Sequence, residues 1–330
     1  MKKSISQRRF VTTLLFAVIA CLLSGYPCRS EEISAVVISG AGGIKQYPDI
    51  NGSRVVWQDT RHGKSDIYLY DLATKKETRI TQGGHDHKKP RIHGNRIFWQ
   101  DYRNGTSDIY VHDLATGKEA PVVVSPVPKV DITVSEGRIA WTDLGNGKGT
   151  ICLYDLASQR EKRMGGGGAQ GFAAMSGNYL VWKDERNDTG DIYLYDIAAD
   201  KETQVTKDKE AQWSPSTNGE QVVWEDNRNA DVMPNYDIYL YDVKSGKERQ
   251  LTRGDANQRF PRIWGSKVVF IDNGRGDAEN IRLIDLATGA ETAITSGITD
   301  KLTPAVFADH IVFSDMKNIY LTTLGSGKTR

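Results

Sequence analysis

One phrase returns seven times along this chain, and its spacing restricts the fold more than any other feature. Val55-Val56-Trp57-Gln58-Asp59 recurs as Ile97-Phe98-Trp99-Gln100-Asp101, Ile139-Ala140-Trp141-Thr142-Asp143, Leu180-Val181-Trp182-Lys183-Asp184 and Val222-Val223-Trp224-Glu225-Asp226. Two divergent copies follow, Val268-Val269-Phe270-Ile271-Asp272 and Ile311-Val312-Phe313-Ser314-Asp315. The aromatic residues are separated by 42, 42, 41, 42, 46 and 43 positions. A period near 42 belongs either to four-stranded propeller blades or to paired-helix repeats.

Residue types within the unit decide between these. After each aromatic-x-Asp phrase comes a polar turn and then a run such as Asp66-Ile67-Tyr68-Leu69-Tyr70-Asp71 or Asp191-Ile192-Tyr193-Leu194-Tyr195-Asp196. These runs are short, β-branched and aromatic, and Gly, Asn and Asp bound them, which is strand chemistry. Thr78-Arg79-Ile80-Thr81 closes the unit and Pro90-Arg91-Ile92-His93-Gly94 opens the next, so each copy supplies four strands. Asp113 to Glu119 places Asp early and Gly117 late, as a hairpin needing one residue at positive φ requires, and the pattern returns at Asp242 to Glu248 and Asp285 to Glu291. Pro121, Pro126 and Pro128 fall at an outermost strand, where a missing amide donor is tolerated.

The seventh copy, Pro304 to Leu324, lacks a fourth strand, whereas Ala35-Val36-Val37-Ile38-Ser39 is a strand-like run without a unit of its own. Pairing the two closes a ring and leaves no exposed seam. The expected fold is therefore all-β: a seven-bladed propeller over residues 31–330, closed by an N-terminal strand. A six-bladed ring with its weakest copy absorbed elsewhere is the alternative.

Residues 1–30 differ from the rest. Lys2, Lys3, Arg8 and Arg9 precede an apolar run from Phe10 to Leu23, too short for a bilayer span of about 20 residues and suited to a signal-peptide core. Lipoprotein processing before Cys21, in Val18-Ile19-Ala20-Cys21, and a twin-arginine route through Arg8-Arg9 are competing forms of export. No second apolar run follows, so the mature chain has no expected transmembrane segment. It is expected in the periplasm, at the cell surface or in the medium, with a lipid anchor at Cys21 in the lipoprotein case. The 43 basic and 42 acidic residues nearly balance, which excludes the basic field of a nucleic-acid binder.

At Pro90-Arg91-Ile92-His93-Gly94, the aromatic-x-Asp phrase and the Asp-Ile-Tyr-Leu-Tyr-Asp run, the chain resembles the TolB-like propeller-repeat family, including repeats of archaeal surface-layer proteins. The likeness covers Ala35 to Leu324. It implies an exported propeller that binds or scaffolds without catalysing. Seven copies in place of the six of the bacterial Tol component, and no additional N-terminal domain, depart from that component's pattern.

Catalytic motifs are sparse. No Gly-x-Ser-x-Gly occurs, and Gly327-Lys328-Thr329 fails as a phosphate loop because Thr322 stands where the first glycine belongs. Gly165 to Gly168 reads as a slack loop. The seven aspartates Asp59, Asp101, Asp143, Asp184, Asp226, Asp272 and Asp315 admit two readings. They form a ring of cation sites, or each ends a strand, accepts turn amides and pairs with an arginine two places on (Arg61, Arg103, Arg186, Arg228). An arginine competes with a metal, so the structural reading is favoured. His62, His85 and His87 fall in loops of one face, whereas His93 and His310 fall on the other. Cys152 reads as a small buried apolar group. The loop from Asn229 to Tyr236 is four residues longer than its counterpart in the first copy and offers Met233, Pro234 and Tyr236 beside Arg228. Candidate binding residues on this face are thus His62, His85, His87, Arg103, Arg186, Arg228, Met233 and Tyr236.

No catalytic residue, metal or cofactor is assigned. The expectation is a monomeric, exported, non-catalytic scaffold that binds a protein or cell-envelope polysaccharide. The rival expectations are a polysaccharide lyase-like enzyme with a metal on the loop face, and a surface-layer or adhesion component.

Overall fold

In the computed structural model, residues 34–145, 147–230, 235–274, 278–297 and 299–325 are described. The expected signal peptide and Cys21 lie outside these residues. From Ala35 onward the chain forms one compact unit.

The described residues contain strands and turns and no helix. Six antiparallel four-stranded sheets follow one another along the chain at residues 45–79, 87–123, 129–163, 170–204, 212–250 and 258–293. The seventh combines three strands within 302–323 with Ala35–Val37. That N-terminal strand pairs antiparallel with Ile319–Thr323, and Ala35, Val36 and Val37 stand opposite Thr322, Leu321 and Tyr320. Pairing continues past the strand: the Ile38 amide donates to the Ile319 carbonyl at 2.9 Å, and the Ile319 amide to Ser39 Oγ at 2.9 Å. The first strand of every blade touches the first strands of both neighbours, including Lys45–Asn51 against Leu302–Phe307. This is the closed seven-bladed propeller that the repeats predict, and the six-bladed alternative is excluded.

The core is a set of layers between blades. Val55 and Trp57 of the first blade pack with Val312 and Ile319 of the seventh. Phe98 and Ile109 of the second pack with Trp141 and Cys152 of the third. The second strands read as continuous apolar runs because a neighbouring blade covers each of their faces. Five repeat tryptophans are fully buried. Each removes roughly 150–250 Å² from water, a gross gain on the order of 4–6 kcal/mol at about 25 cal per Å².

One irregularity recurs in every blade. The innermost strand carries a bulge after its second residue, between Gln46 and Asp49 in the first blade and at matching places in the other six. Tyr47, Lys89, Asp131, Phe172, Ser214, Phe260 and Thr303 sit there at φ of 49–56°. A bulge bends the strand and re-aims the side chains beside it. Here the bulges encircle one end of the ring.

Candidate functional site

In each blade the start of the first strand, the end of the second and the start of the third lie side by side, as Lys45, Asp59 and Asp66 do. The links between blades and the second-to-third-strand loops therefore share one face. The repeat aspartates stand at its base. In blades one, two, four and five the aspartate accepts the indole N–H of the tryptophan two places before it, at 2.8–3.3 Å. It also accepts the backbone N–H of the arginine two places after it.

The same arginine returns its guanidinium to the carboxylate at 2.5–2.7 Å. It reaches a glutamate of the outermost strand at 2.6 Å: Glu77, Glu119, Glu202 or Glu248. It also lies 4.0–4.3 Å over the ring of a third-strand tyrosine. Arg103, Arg186 and Arg228 are thus engaged inside their own blades. Their pKa values are held above the ordinary guanidinium range; the Asp101 and Asp184 bonds lead for the first two, while for Arg228 burial opposes the rise and the Asp226 bond overcomes it.

The other three blades depart from this pattern as their sequences do. Asp143 lacks the arginine two places on and takes Arg163 of the outermost strand at 3.0 Å, leaving the buried Trp141 indole nitrogen without a hydrogen-bond partner. Phe270 and Phe313 have no indole N–H to offer. Asp272 pairs with Arg282 at 3.3 Å, and Asp315 accepts the Tyr320 hydroxyl at 2.8 Å.

Of the candidate loop residues, His85 and His87 come together, with ring centroids 4.6 Å apart. His62 stacks instead on Tyr68. The Arg259 guanidinium lies 4.9 Å from the rings of both Tyr236 and Phe260. Met233 and Pro234 lie outside the described residues. Gly165 to Gly168 is not slack: a Cβ on Gly166 or Gly168 would run into the Arg186 side chain or backbone. The loop borders an open hollow of about 500 Å³ with Glu185 and Arg186. Cys152 is buried as expected, and burial pushes its thiol up to about 12.

The sequence reading missed the residues around the bulges. Phe172, 40% exposed, meets Trp213 edge to face at 5.4 Å, and the Lys183 ammonium lies 3.2 Å from the Trp213 ring centroid. Lys89 pairs with Asp131 at 3.5 Å and faces Tyr47 at 5.6 Å. One step further along the innermost strands, Asp49, Arg91 and Arg262 hold opposite charges. Enclosure raises the Asp49 pKa, and enclosure followed by repulsion from Arg91 lowers that of Arg262 to about 10. The signal for the bulge was present as Pro48, Pro90, Pro215, Pro261 and Pro304, each directly after the positive-φ residue.

On the opposite face His93, Arg96, Phe98 and Arg138 line a cleft of about 340 Å³ between blades two and three. The His310 ring bonds Thr323. Trp264, 38% exposed, packs on Phe307 at the same end.

No family model matches the chain, and no curated protein matches it by sequence. Solved structures do resemble it. An acylaminoacyl peptidase from Pyrococcus horikoshii is 16% identical, with a TM-score of 0.67 over 85% of this chain and 51% of that one. The chain thus spans about half the length of that peptidase. An oligogalacturonate lyase in complex with manganese is 15% identical, with a TM-score of 0.64 over 91% and 96%. A structure described as TolB from Agrobacterium tumefaciens is 16% identical, with a TM-score of 0.51 over 78% and 91%.

What they share is the fold. A seven-bladed propeller with a TolB neighbour is consistent with the TolB-like resemblance of the repeats, while peptidase and lyase neighbours show that such a scaffold serves enzymes too. Among the described residues, no helix is long and apolar enough to cross a membrane.

Proposed function

We propose that this chain is an exported, monomeric, non-catalytic propeller that binds a protein or cell-envelope polysaccharide on its loop face. The observation that carries the reading is the rim around the bulges. Phe172 stands exposed against Trp213 and Lys183, while Tyr236 and Phe260 flank Arg259. Aromatic planes beside cations offer stacking area and charge together, as protein and sugar ligands both use. The rigid blades hold these side chains before binding, which lowers the ordering cost of association. Export rests on the charged start and apolar run of residues 1–30. The TolB-like resemblance of the repeats supports binding over catalysis.

The test is a pull-down from envelope extract and from purified envelope polysaccharide, comparing the unaltered chain with a Phe172→Ala/Trp213→Ala double variant and with Trp264→Ala on the opposite face. Capture by the unaltered chain and by Trp264→Ala, with about ten-fold less by the double variant, is expected. Equal capture by all three, or none by any, overturns the reading.

A further inference from the structure

The first position of the innermost strand faces a carboxylate of its own blade, of the blade before, or of both. In blade one Lys45 fills it, buried, with Nζ 3.8 Å from Asp59. In blade three Lys129 fills it, buried, with Nζ 3.1 Å from Asp108 of the second blade. Blades four, five and six place Gln170, Gln212 and Gln258 there. Blade two alone places a histidine, His87, between Asp66 and Asp101.

The hydrogen-bond pattern fixes how that imidazole is used. Its Nδ1 lies 3.3 Å from both the Ser65 carbonyl oxygen and Asp66 Oδ1, which can only accept, so Nδ1 carries the proton. Nε2 then presents a lone pair to Asp101 Oδ2 at 3.6 Å. His85 Nε2, a buried atom with no hydrogen-bond partner, lies 3.7 Å from Asp101 Oδ1. All three ligand atoms fall within 4.8 Å of one another. Two ring nitrogens and a carboxylate converge, and no hydrogen bond joins either nitrogen to that carboxylate.

We propose that His85, His87 and Asp101 bind a first-row divalent transition-metal ion, zinc foremost, with a coordination position left open toward the loop face.

Several features of the site agree. Two imidazoles and one carboxylate suit zinc and its neighbours, whereas calcium and magnesium want oxygen donors alone. Ligand atoms around tetrahedral zinc stand about 3.3 Å apart for bonds of about 2.0–2.1 Å, so atoms now up to 4.8 Å apart close on the ion by side-chain rotation. The Nδ1–H of His87 held by Asp66 and the Ser65 carbonyl is the outer-shell arrangement that orients metal-bound histidines. His85 is 30% exposed, which gives the ion an entry path. Gly83 makes room for it: at φ +154°, a Cβ there would stand 2.9 Å from His85 Cε1.

Arg103 also bonds Asp101, at 2.7 Å, yet this does not close the site. In blade one Asp59 bonds Arg61 at 2.6 Å and still has the Lys45 ammonium beside it. An ammonium 3.8 Å from an arginine–aspartate pair is therefore accommodated in this molecule, and a metal bond to Asp101 further requires one of the donors from Arg103 or Trp99 to move aside. The metal takes the place of that ammonium in blade two.

Metal uptake at these residues is independent of partner binding and is measured on the chain alone. The full chain, stripped with chelator, is titrated with zinc by calorimetry at pH 7.5, and with cobalt while the visible absorption bands are followed. One ion per chain is expected, with bands of low-symmetry coordination, and a Kd weakened about ten-fold or more in His85→Ala and in His87→Gln. His87→Gln installs the residue that blades four to six use in the same slot, so the fold has a precedent for it, and thermal unfolding of the metal-free variants confirms this. His310→Ala, on the opposite face, leaves binding unchanged. Absence of saturable uptake, or uptake that neither substitution weakens, overturns the assignment; so does a protein whose two histidines only bind protons.

Discussion

Asp184 and Asp191 stand directly opposite each other across the antiparallel ladder of blade four, both buried, yet the protein drives their carboxyls in opposite directions. Burial disfavours the Asp184 carboxylate, but bonds from Arg186, Trp182 and Gln170 outweigh it and hold its pKa below the ordinary value. Asp191 feels burial first and then the negative Asp188. Thr206, Gln204 and Asn187 do not offset these, and its pKa is raised. The folded pKa of Asp184 lies below the unfolded value of about 3.9, so its stabilisation is complete above about pH 4 and is lost as pH falls through the folded value. The folded pKa of Asp191 lies above its unfolded value, so its charge costs stability at neutral pH and protonation relieves that cost. Asp184→Asn is therefore expected to lower stability at pH 7, by an amount that shrinks below about pH 4. Asp191→Asn raises it at pH 7, and the gain shrinks as pH falls toward 4. Urea unfolding of both variants from pH 7 to 3 checks the signs; two penalties of the same sign would contradict this account.

Closure of the ring depends on few residues. Val36 and Val37 are about half exposed, whereas Ile38 is buried among Ile319, Val312 and Trp57. Ile38→Ala removes packing where the first and last blades meet and is expected to cost about 2–4 kcal/mol. Val36→Ala costs under about 1 kcal/mol. Chemical denaturation measures both, and a Val36 penalty equal to that of Ile38 would place the lock in the strand ladder rather than in the core beneath it.

The aspartate spokes are unequal in the same way. Asp226 serves the Trp224 indole and the Arg228 guanidinium. Its removal strands both in a buried setting, so Asp226→Ala is expected to cost about 3–5 kcal/mol. Asp315 is bonded to the Tyr320 hydroxyl and turn amides at the surface of blade seven, and Asp315→Ala costs about 1 kcal/mol. Comparable midpoints in a denaturant titration would show that the indole and guanidinium are not what the repeat aspartate is kept for.

The ring was legible because its cause is periodic. An aromatic residue and an aspartate every 41–46 residues can be counted, and the unpaired strand at Ala35 together with the short last copy implied closure. The loop face was legible only in part. His85 and His87 are two residues apart, and any reading brings them near each other. Asp101, though, was read as one of seven equivalent turn aspartates, and nothing local shows that the slot beside it holds lysine in some blades and imidazole in one. The rim residues escaped because Phe172, Trp213 and Phe260 vary from blade to blade while their backbone does not. The bulge that aims them was announced only by prolines, read simply as strand openings. Arg103, Arg186 and Arg228 were offered to a ligand because one sequence does not show that an outermost-strand glutamate and a third-strand tyrosine already surround each of them.

Gly168 marks where the link into blade four crosses the loop of its own second strand. A Cβ added there would stand 2.5 Å from the Glu185 carbonyl carbon and closer still to the Arg186 amide, both backbone atoms that no rotamer change can move. Arg186 cannot retreat, since its guanidinium is held by Asp184 and Glu202. The Glu185 amide bonds the Ala169 carbonyl on the same crossing, so the two segments cannot separate without breaking that bond. Gly168→Ala is therefore expected to cost about 2–3 kcal/mol. Gly117→Ala, at a hairpin tip with open space around the site, carries only the strain of φ +68°, on the order of 1 kcal/mol. Thermal unfolding ranks the two. A Gly168→Ala chain as stable as the unaltered one would mean that the crossing has slack, and that the segment from Gly165 to Gly168 is free to move after all.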